Sequence, residues 1–227
     1  MLFNNKYCFL HYPKTAGKSL TRYFVQAWEN PIEGFISPGQ VDELKDCGLE
    51  NTNIKVGRGH ENLSEAKSLI DLHGNKFENI EAIFVCIRNP YDLMVSNYHF
   101  MRKTYKNNKT KENFKIANDN DFTSYCEKVG MSSPAGWMEL DGAQPKNLFI
   151  IRFERLDSDL KAGAEKYGFN HQELAKLNSS KHEHYSSYMS QSSEEAIYRK
   201  FKYIFDKEYY EREEFSKVPK ISLQKCA

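Results

Sequence analysis

The sequence predicts an α/β protein with three layers, in which a central parallel sheet carries helices on both faces. Three short apolar runs support this prediction, because continuous apolar sequence is typical of strands buried in a parallel sheet. They are Tyr7–Leu10, Ile80–Ile87 and Asn147–Phe153. A segment with helical spacing of apolar residues follows each run. Strands that alternate with helices in this way form parallel sheets covered on both sides.

Length and composition narrow the class of protein. The chain has 227 residues and a net charge of +1, which fits one domain over 1–227 and argues against a general nucleic-acid binder. No apolar run reaches the roughly 18 residues that a membrane span needs, and no signal peptide is expected before the first strand. The five cysteines are scattered, without a CxxC pair. We therefore expect a cytoplasmic protein without structural disulfides or zinc.

The turn after the first strand concentrates hydrogen-bond donors and positive charge. Backbone N–H groups of such a turn and of the following helix N-terminus face an anion, and the helix dipole favours negative charge there. Further donors come from the side chains of Lys14, Thr15, Lys18 and Ser19. Residues 12–20 are therefore predicted to cradle a phosphate. The structural alternative is an ordinary strand-to-helix connection with surface lysines.

Between this loop and the central strand, the sequence predicts one short strand and one capped helix. Residues 30–53 are predicted to be loop, apart from a short helix near 41–47. A strand is expected at Ile54–Val56 and a helix at Leu63–Leu72. Asn62 and Glu65 have the spacing of a reciprocal N-terminal cap for that helix.

His60 is the candidate general base. It lies after the short strand and before the capped helix, where the carboxyl edge of the sheet is expected. An imidazole with an ordinary pKa of about 6.5 suits proton abstraction near neutral pH. Glu61 is the alternative base. His11, at the end of the first strand, is a weaker candidate, for which packing beneath the loop is the favoured explanation.

The central strand ends in Arg88. Nucleoside triphosphatases commonly have an acidic residue for magnesium at this point, whereas an arginine can donate a bidentate pair to a phosphate. Asn89 caps the next helix, Pro90 starts it, and Ser96 lies about two turns along it. Two anion sites at successive strand ends fit a ligand phosphorylated at its 5′ and 3′ positions. The structural alternative for Arg88 is a helix-capping residue in a surface ion pair.

The remainder of the chain carries weaker signals. Trp137, in an irregular segment over 131–145, could stack on a sugar or fill the core. Lys181, in a polar loop over 178–193, could reach the ligand or belong to an ordinary surface loop. Further helices are predicted over 121–128, 156–167, 171–177 and 194–210.

Three of these segments resemble one enzyme family. Pro13-Lys-Thr-Ala-Gly-Lys-Ser19 resembles the 5′-phosphosulfate loop of sulfotransferases, in the form found in carbohydrate sulfotransferases of the heparan 2-O and chondroitin type and their bacterial relatives. Arg88-Asn-Pro-Tyr-Asp-x-x-x-Ser96 resembles their 3′-phosphate motif, and Gly59-His60 resembles their catalytic-histidine segment. Lys18 departs from the pattern, since family members often carry threonine there.

The resemblance implies a P-loop-like fold and a single sulfotransferase domain over 1–227, with the loop at 12–20 and the second motif at 86–98. It implies the donor 3′-phosphoadenosine-5′-phosphosulfate (PAPS), the product 3′,5′-adenosine bisphosphate and no metal. His60 would be the base and Lys14 the leaving-group stabiliser. The residues expected to bind the donor are Lys14, Thr15, Ala16, Gly17, Lys18, Ser19, Arg88, Ser96 and Lys181. The expected acceptor is a hydroxyl group, in a carbohydrate or glycoconjugate.

Two alternatives stay open on sequence alone. Gly17-Lys18-Ser19 matches the end of a Walker A loop, so a nucleotide kinase is one. Tyr12 stands where that motif needs its first glycine, which weakens this alternative. The other is a catalytically silent protein that binds a nucleotide or a glycan. The sequence names neither the acceptor nor the oligomeric state.

Overall fold

The computed structural model describes residues 1–44, 47–49, 52–107, 109–174 and 182–215. It contains a six-stranded sheet in the order β4-β3-β1-β2-β5-β6. The strands are β1 (Leu2–Phe3), β2 (Tyr7–Leu10), β3 (Glu33–Ile36), β4 (Asn53–Val56), β5 (Ala82–Ile87) and β6 (Leu148–Arg152). β2 pairs in parallel with β5, β5 with β6 and β3 with β4, whereas the two-residue β1 is antiparallel to both of its neighbours.

Nine α-helices accompany the sheet within these described ranges. They are α1 (Gly17–Ala27), α2 (Pro38–Leu44), α3 (Leu63–Leu72), α4 (Pro90–Thr104), α5 (Glu112–Asp119), α6 (Phe122–Lys128), α7 (Ala135–Met138), α8 (Leu156–Tyr167) and α9 (Gln191–Asp206). The order of strands and helices confirms the α/β prediction. None of the described helices is both long enough and apolar enough to cross a membrane.

The chain divides into two compact units. The first comprises Met1–Arg88 and Ala135–Asn178 and contains all six strands with α1, α2, α3, α7 and α8. The second comprises Asn89–Pro134 and Ser179–Ala227 and contains α4, α5, α6 and α9. The single domain predicted over 1–227 stays a prediction.

In the first unit, helices cover both faces of the sheet. Phe9, Phe84 and Phe24 pack together on the face of α1, with ring centroids 4.9 and 5.2 Å from that of Phe24. Leu160 of α8 belongs to the same buried cluster. Side chains alternate along a strand, so Phe3 turns to the other face, where it stacks on His73 at the end of α3. The three-layer arrangement follows from this alternation.

The second unit has its own core. α9 begins at a reciprocal cap in which the side chains of Ser190 and Ser193 each accept from the other's backbone N–H. The four side chains predicted to face inward are all buried: Ile197, Phe201, Ile204 and Phe205. The ring of Phe205 lies 5.7 Å from that of Tyr91 on α4.

Several predicted elements need correction. The sheet is mixed rather than wholly parallel, because β1 runs antiparallel. Residues 30–53 are not all loop, since β3 pairs with β1 and β4 there. Residues 171–174 of the predicted helix at 171–177 are not helical, and the rest of it lies outside the described residues. The His171 side chain hydrogen-bonds to Tyr23, and that of Gln172 donates to the carbonyl of Gln26, which ties this segment to α1.

The structure describes four of the five cysteines. Cys8, Cys47, Cys86 and Cys126 are buried, and Cys226 lies outside the described residues. Burial raises the pKa of Cys8 to about 12, so its thiol stays protonated at neutral pH.

Candidate active site

The candidate site lies at the carboxyl ends of β2 and β5. These strands are parallel neighbours, but the chain leaves β2 through α1 toward β3, on the opposite side from β5. A reversal of this kind opens a crevice at the carboxyl edge of the sheet, where ligands of open α/β sheets bind. The loop at 12–20 and Arg88 are delivered to this edge, each directly after its strand.

The loop has a backbone that non-glycine residues rarely adopt. Lys14 has a φ of 67° and Ala16 a φ of 58°, both in the left-handed region. Each such residue costs on the order of 1 kcal/mol, and strain of this kind concentrates at functional sites. The buried hydroxyl of Thr15 donates to the Tyr12 carbonyl at 2.7 Å, which holds the turn closed. Thr15 therefore offers a ligand its backbone N–H rather than its side chain.

α1 begins at the end of this loop. Its N-cap, Ala16, has no side-chain hydrogen bond, and the first turn contains Lys18 and Ser19 but no acidic residue. The N–H groups of this turn and the positive end of the helix dipole therefore meet no negative side chain from that turn. This arrangement suits an anion such as a phosphate.

Two buried contacts explain unusual residues in the loop. The ring of Tyr12 packs edge-on against Trp137 of α7, with centroids 5.0 Å apart. Trp137 is only 7% exposed, so of its two predicted roles the core-filling one is observed. Gly17 lies directly against the His11 ring, because a Cβ added at Gly17 would stand 1.6 Å from His11 Nε2. The Tyr12 side chain therefore packs against Trp137, whereas a Walker A loop has a glycine at this position for its backbone freedom.

Three cations converge on the loop. Arg88 is buried, its Nη1 donates to the Lys14 carbonyl at 3.1 Å, and its guanidinium lies 4.0 Å above the ring of Phe153. Burial, together with repulsion from Arg88 and Lys18, lowers the pKa of Lys14 to about 8. An anion bound among these groups would relieve the repulsion.

His60 is brought to the same loop. Its Nδ1 lies 3.0 Å from the backbone carbonyl of His11, and the two rings are 4.3 Å apart. A carbonyl oxygen only accepts, so Nδ1 carries the proton and donates it, which leaves the lone pair on Nε2. Burial is the largest cause of a lowered pKa at His60, so the ring is neutral at pH 7.

Glu61, the alternative base, is already engaged. Its carboxylate is buried, one oxygen lies 3.1 Å from the Met1 amino group and the other accepts from the backbone N–H of Gly59. These contacts make Glu61 a structural partner of the segment that carries His60.

Comparison with protein-family models matches residues 71–196 to the sulfotransferase domain. The chain belongs to the sulfotransferase domain family. Sulfotransferases of this family use PAPS, and the protein is a PAPS-dependent sulfotransferase that catalyses sulfuryl transfer. No curated protein and no solved structure matches the chain.

The sulfotransferase match includes Arg88 and Ser96, whereas Lys14 and His60 precede it. In the second unit, Asn89 caps α4 by accepting from the Tyr91 backbone N–H at 2.9 Å, as predicted. Ser96 lies on α4 and is buried. Lys181 lies outside the described residues. Within those residues, no group of three or more His, Cys, Asp and Glu side chains could hold a metal ion.

Sequence reasoning did not predict two contacts of this candidate site. The first is the contact between the Arg88 guanidinium and the Phe153 ring. Ile87 pairs with Arg152 in the sheet, so the residues that follow them, Arg88 and Phe153, leave the sheet side by side. His11 packs beneath the loop as predicted, but its contact with Gly17 was not predicted. No sequence spacing signals it, because the two residues meet only when the loop closes.

Proposed function

We propose that this sulfotransferase acts on a hydroxyl group of a carbohydrate or glycoconjugate, with residues 12–20 and Arg88 forming the donor site. The convergence of Lys14, Lys18 and Arg88 carries the proposed donor site: Arg88 donates to the Lys14 carbonyl, and burial together with repulsion from Arg88 and Lys18 lowers the pKa of Lys14. A ligand with negative groups at two positions would balance these charges. The residues present therefore fit PAPS.

Each part of the donor would have its own partners. The backbone N–H groups of residues 15–19, the Lys18 ammonium and the Ser19 hydroxyl would hold the 5′-phosphosulfate. Arg88 would hold the 3′-phosphate, and the resemblance adds Ser96 and Lys181 as further predicted contacts to the donor. When bound, PAPS supplies the sulfuryl group and is released as 3′,5′-adenosine bisphosphate.

Two side chains would act on the reacting groups. His60 would take the acceptor's proton at Nε2, because Nδ1 is occupied by the His11 carbonyl. Its lowered pKa keeps it in the neutral, basic form at pH 7. Lys14, with a pKa of about 8, is still mostly protonated at that pH and would support negative charge on the leaving phosphate.

The resemblance of Pro13–Ser19 to the loop of carbohydrate sulfotransferases supports the acceptor class. The proposed base at His60 fits this acceptor class, since an unactivated sugar hydroxyl is a poor nucleophile until its proton is removed. Mass spectrometry of products from a panel of sugars, phenols and lipid alcohols tests this point. Sulfation of phenols alone would refute a carbohydrate acceptor and leave sulfuryl transfer intact.

Calorimetric titration tests the donor site, using 3′,5′-adenosine bisphosphate and 5′-adenosine monophosphate as two probes. Arg88→Ala and Ser96→Ala should weaken binding of the bisphosphate but not of the monophosphate, which lacks the 3′-phosphate. Lys18→Ala should weaken both. Lys161→Ala, at an exposed lysine on α8, is the matched control. Equal losses for both probes in Arg88→Ala would show that Arg88 braces the loop instead.

Turnover tests the catalytic roles. Loss of a general base typically lowers the rate about 10²- to 10⁴-fold, so His60→Ala should lower kcat by this order while the bisphosphate still binds. Lys14→Ala should lower kcat by on the order of 10²-fold. Full activity in both variants would refute the assignment.

A further inference from the structure

We infer that His11 is a positioning residue, whose backbone carbonyl and buried ring hold His60 in the tautomer that has its lone pair on Nε2, the nitrogen proposed to take the acceptor's proton. This inference rests on the proposed role of His60 as the base. It starts from the 3.0 Å contact between His60 Nδ1 and the His11 carbonyl oxygen. Free histidine places its proton mainly on the other ring nitrogen, so a fixed acceptor at Nδ1 decides the tautomer.

The His11 ring has two close neighbours. It touches the backbone of Gly17, leaving no room for a Cβ at that residue. The centroid of the His60 ring stands 4.3 Å from that of His11, and the two rings are tilted by 52°. The His11 side chain therefore packs against both the first residue of α1 and the base, and it fixes the backbone whose carbonyl accepts from Nδ1.

The charge state of His11 suits this position. Burial and the neighbouring groups His60, the Met1 amino group, Lys18 and Lys14 all lower its pKa far below the ordinary value. A neutral His11 adds no further positive charge beside the base. When His60 gains a proton, the His11 carbonyl still accepts from Nδ1, now from a charged donor, which strengthens the bond.

The tautomer can be read directly without measuring activity. In protein labelled with ¹⁵N at histidine, long-range proton–nitrogen spectra report which ring nitrogen carries the proton and at what pH each ring titrates. Wild type should show His60 protonated at Nδ1, with a pKa below the ordinary value. His11→Ala should shift His60 toward the Nε2-protonated form and raise the pKa of His60, because water replaces the His11 ring.

Titration of His60 also depends on its other charged neighbours, which are the Met1 amino group, Glu61 and Arg58. They are unchanged in the His11 variants, so the difference between wild type and variant isolates His11. Because His60 acts in its neutral form, the acid limb of the pH–kcat profile should move to higher pH in His11→Ala. Loss of an orienting partner of this kind typically costs about 10- to 100-fold, here expected in kcat with little change in bisphosphate affinity.

Two further variants separate positioning from loss of fold. His11→Phe keeps a buried ring and should retain more of the wild-type tautomer than His11→Ala. Gly17→Ala should disturb His60 through the His11 ring, which a Cβ at Gly17 would displace, and it should add no further change in the His11→Ala background. Gly39→Ala is the matched control, since a Cβ at Gly39 would meet nothing within 4 Å.

The outcomes are distinct. An Nδ1-protonated His60 in wild type that is lost in His11→Ala supports the inference. An Nε2-protonated His60 in wild type, or an unchanged tautomer and pH profile in folded His11→Ala and Gly17→Ala proteins, overturns it. Retained activity in His60→Ala overturns the proposed base, and the spectra distinguish that failure because they do not depend on turnover.

Discussion

Lys14 should make donor-site binding depend on pH, and Lys14→Met should remove that dependence. In the ligand-free protein the pKa of Lys14 is lowered from 10.5 to about 8 by burial, Arg88 and Lys18. A bound anion favours the charged ammonium and returns the pKa toward its ordinary value. Binding above pH 8 must therefore recruit one proton to this side chain.

The size of the effect follows from the two pKa values. If the bound-state pKa is at least 10.5, 3′,5′-adenosine bisphosphate should bind about 30-fold more weakly at pH 9.5 than at pH 7. The ligand contributes little to this slope, because its phosphates lose their last proton near a pKa of about 6. Calorimetry near pH 9 in two buffers of different ionisation enthalpy should show uptake of about one proton per binding event.

Matched variants test the reasoning. Lys14→Met should bind weakly and independently of pH, whereas Lys14→Arg should keep a charge and also lose the slope, since arginine does not titrate in this range. Lys161→Met, on the surface of α8, should keep the wild-type slope. A flat wild-type profile, or a slope that survives in Lys14→Met, would refute the account.

The same pKa has a consequence for stability. The fall from 10.5 to about 8 corresponds to about 3 kcal/mol of unfavourable interaction for the charged ammonium in the ligand-free fold. This cost is fully present below pH 8 and disappears as pH rises through 10.5, where the unfolded chain also loses the proton. Ligand-free Lys14→Met should therefore unfold at a higher temperature than wild type at pH 7, with a smaller difference at pH 10. An equal or lower unfolding temperature at pH 7 would contradict this.

Three further variants follow from individual contacts. Thr15→Val removes the hydrogen bond to the buried Tyr12 carbonyl and should lower the free energy of unfolding by about 1–3 kcal/mol in urea titrations, with weaker bisphosphate binding. An unchanged stability would show that this bond does not hold the loop. Arg88→Lys keeps the charge but loses the guanidinium that lies over the ring of Phe153, so bisphosphate affinity measured by calorimetry should fall about tenfold. Wild-type affinity in this variant would mean that the charge alone suffices. Leu160→Ala opens a cavity under the sheet and should cost about 2–5 kcal/mol, with kcat retained wherever the protein is folded. Selective loss of kcat without loss of stability would contradict a purely structural role.

Local sequence was sufficient for the elements whose signals are local. β2 and β5 were predicted because strands buried on both faces are continuous apolar runs. β6 was predicted from the same signal, but it is an edge strand in which only Ile151 is buried. Each of the three strands lies within its predicted run. The capping box of α3 was likewise predicted from Asn62 and Glu65 and is present. Elements that depend on a partner were not predictable: β1 has only two residues, and β3 alternates half-buried and buried residues around Gly34. Each becomes a strand only by pairing with neighbours elsewhere in the chain.

The sequence by itself determined the α/β class, the composition of the loop at 12–20 and the identity of its cations, because these depend on residue type and short-range spacing. It also indicated that His60 belongs near the sheet edge. Only the tertiary structure decided how these groups act on one another. The lowered pKa of Lys14 needs burial beside Arg88, and the tautomer of His60 needs the His11 carbonyl at 3.0 Å. Electrostatic and hydrogen-bond interactions depend on distances between residues far apart in the chain, and those distances exist only once the loop, β5 and the His60 segment meet at one edge of the sheet.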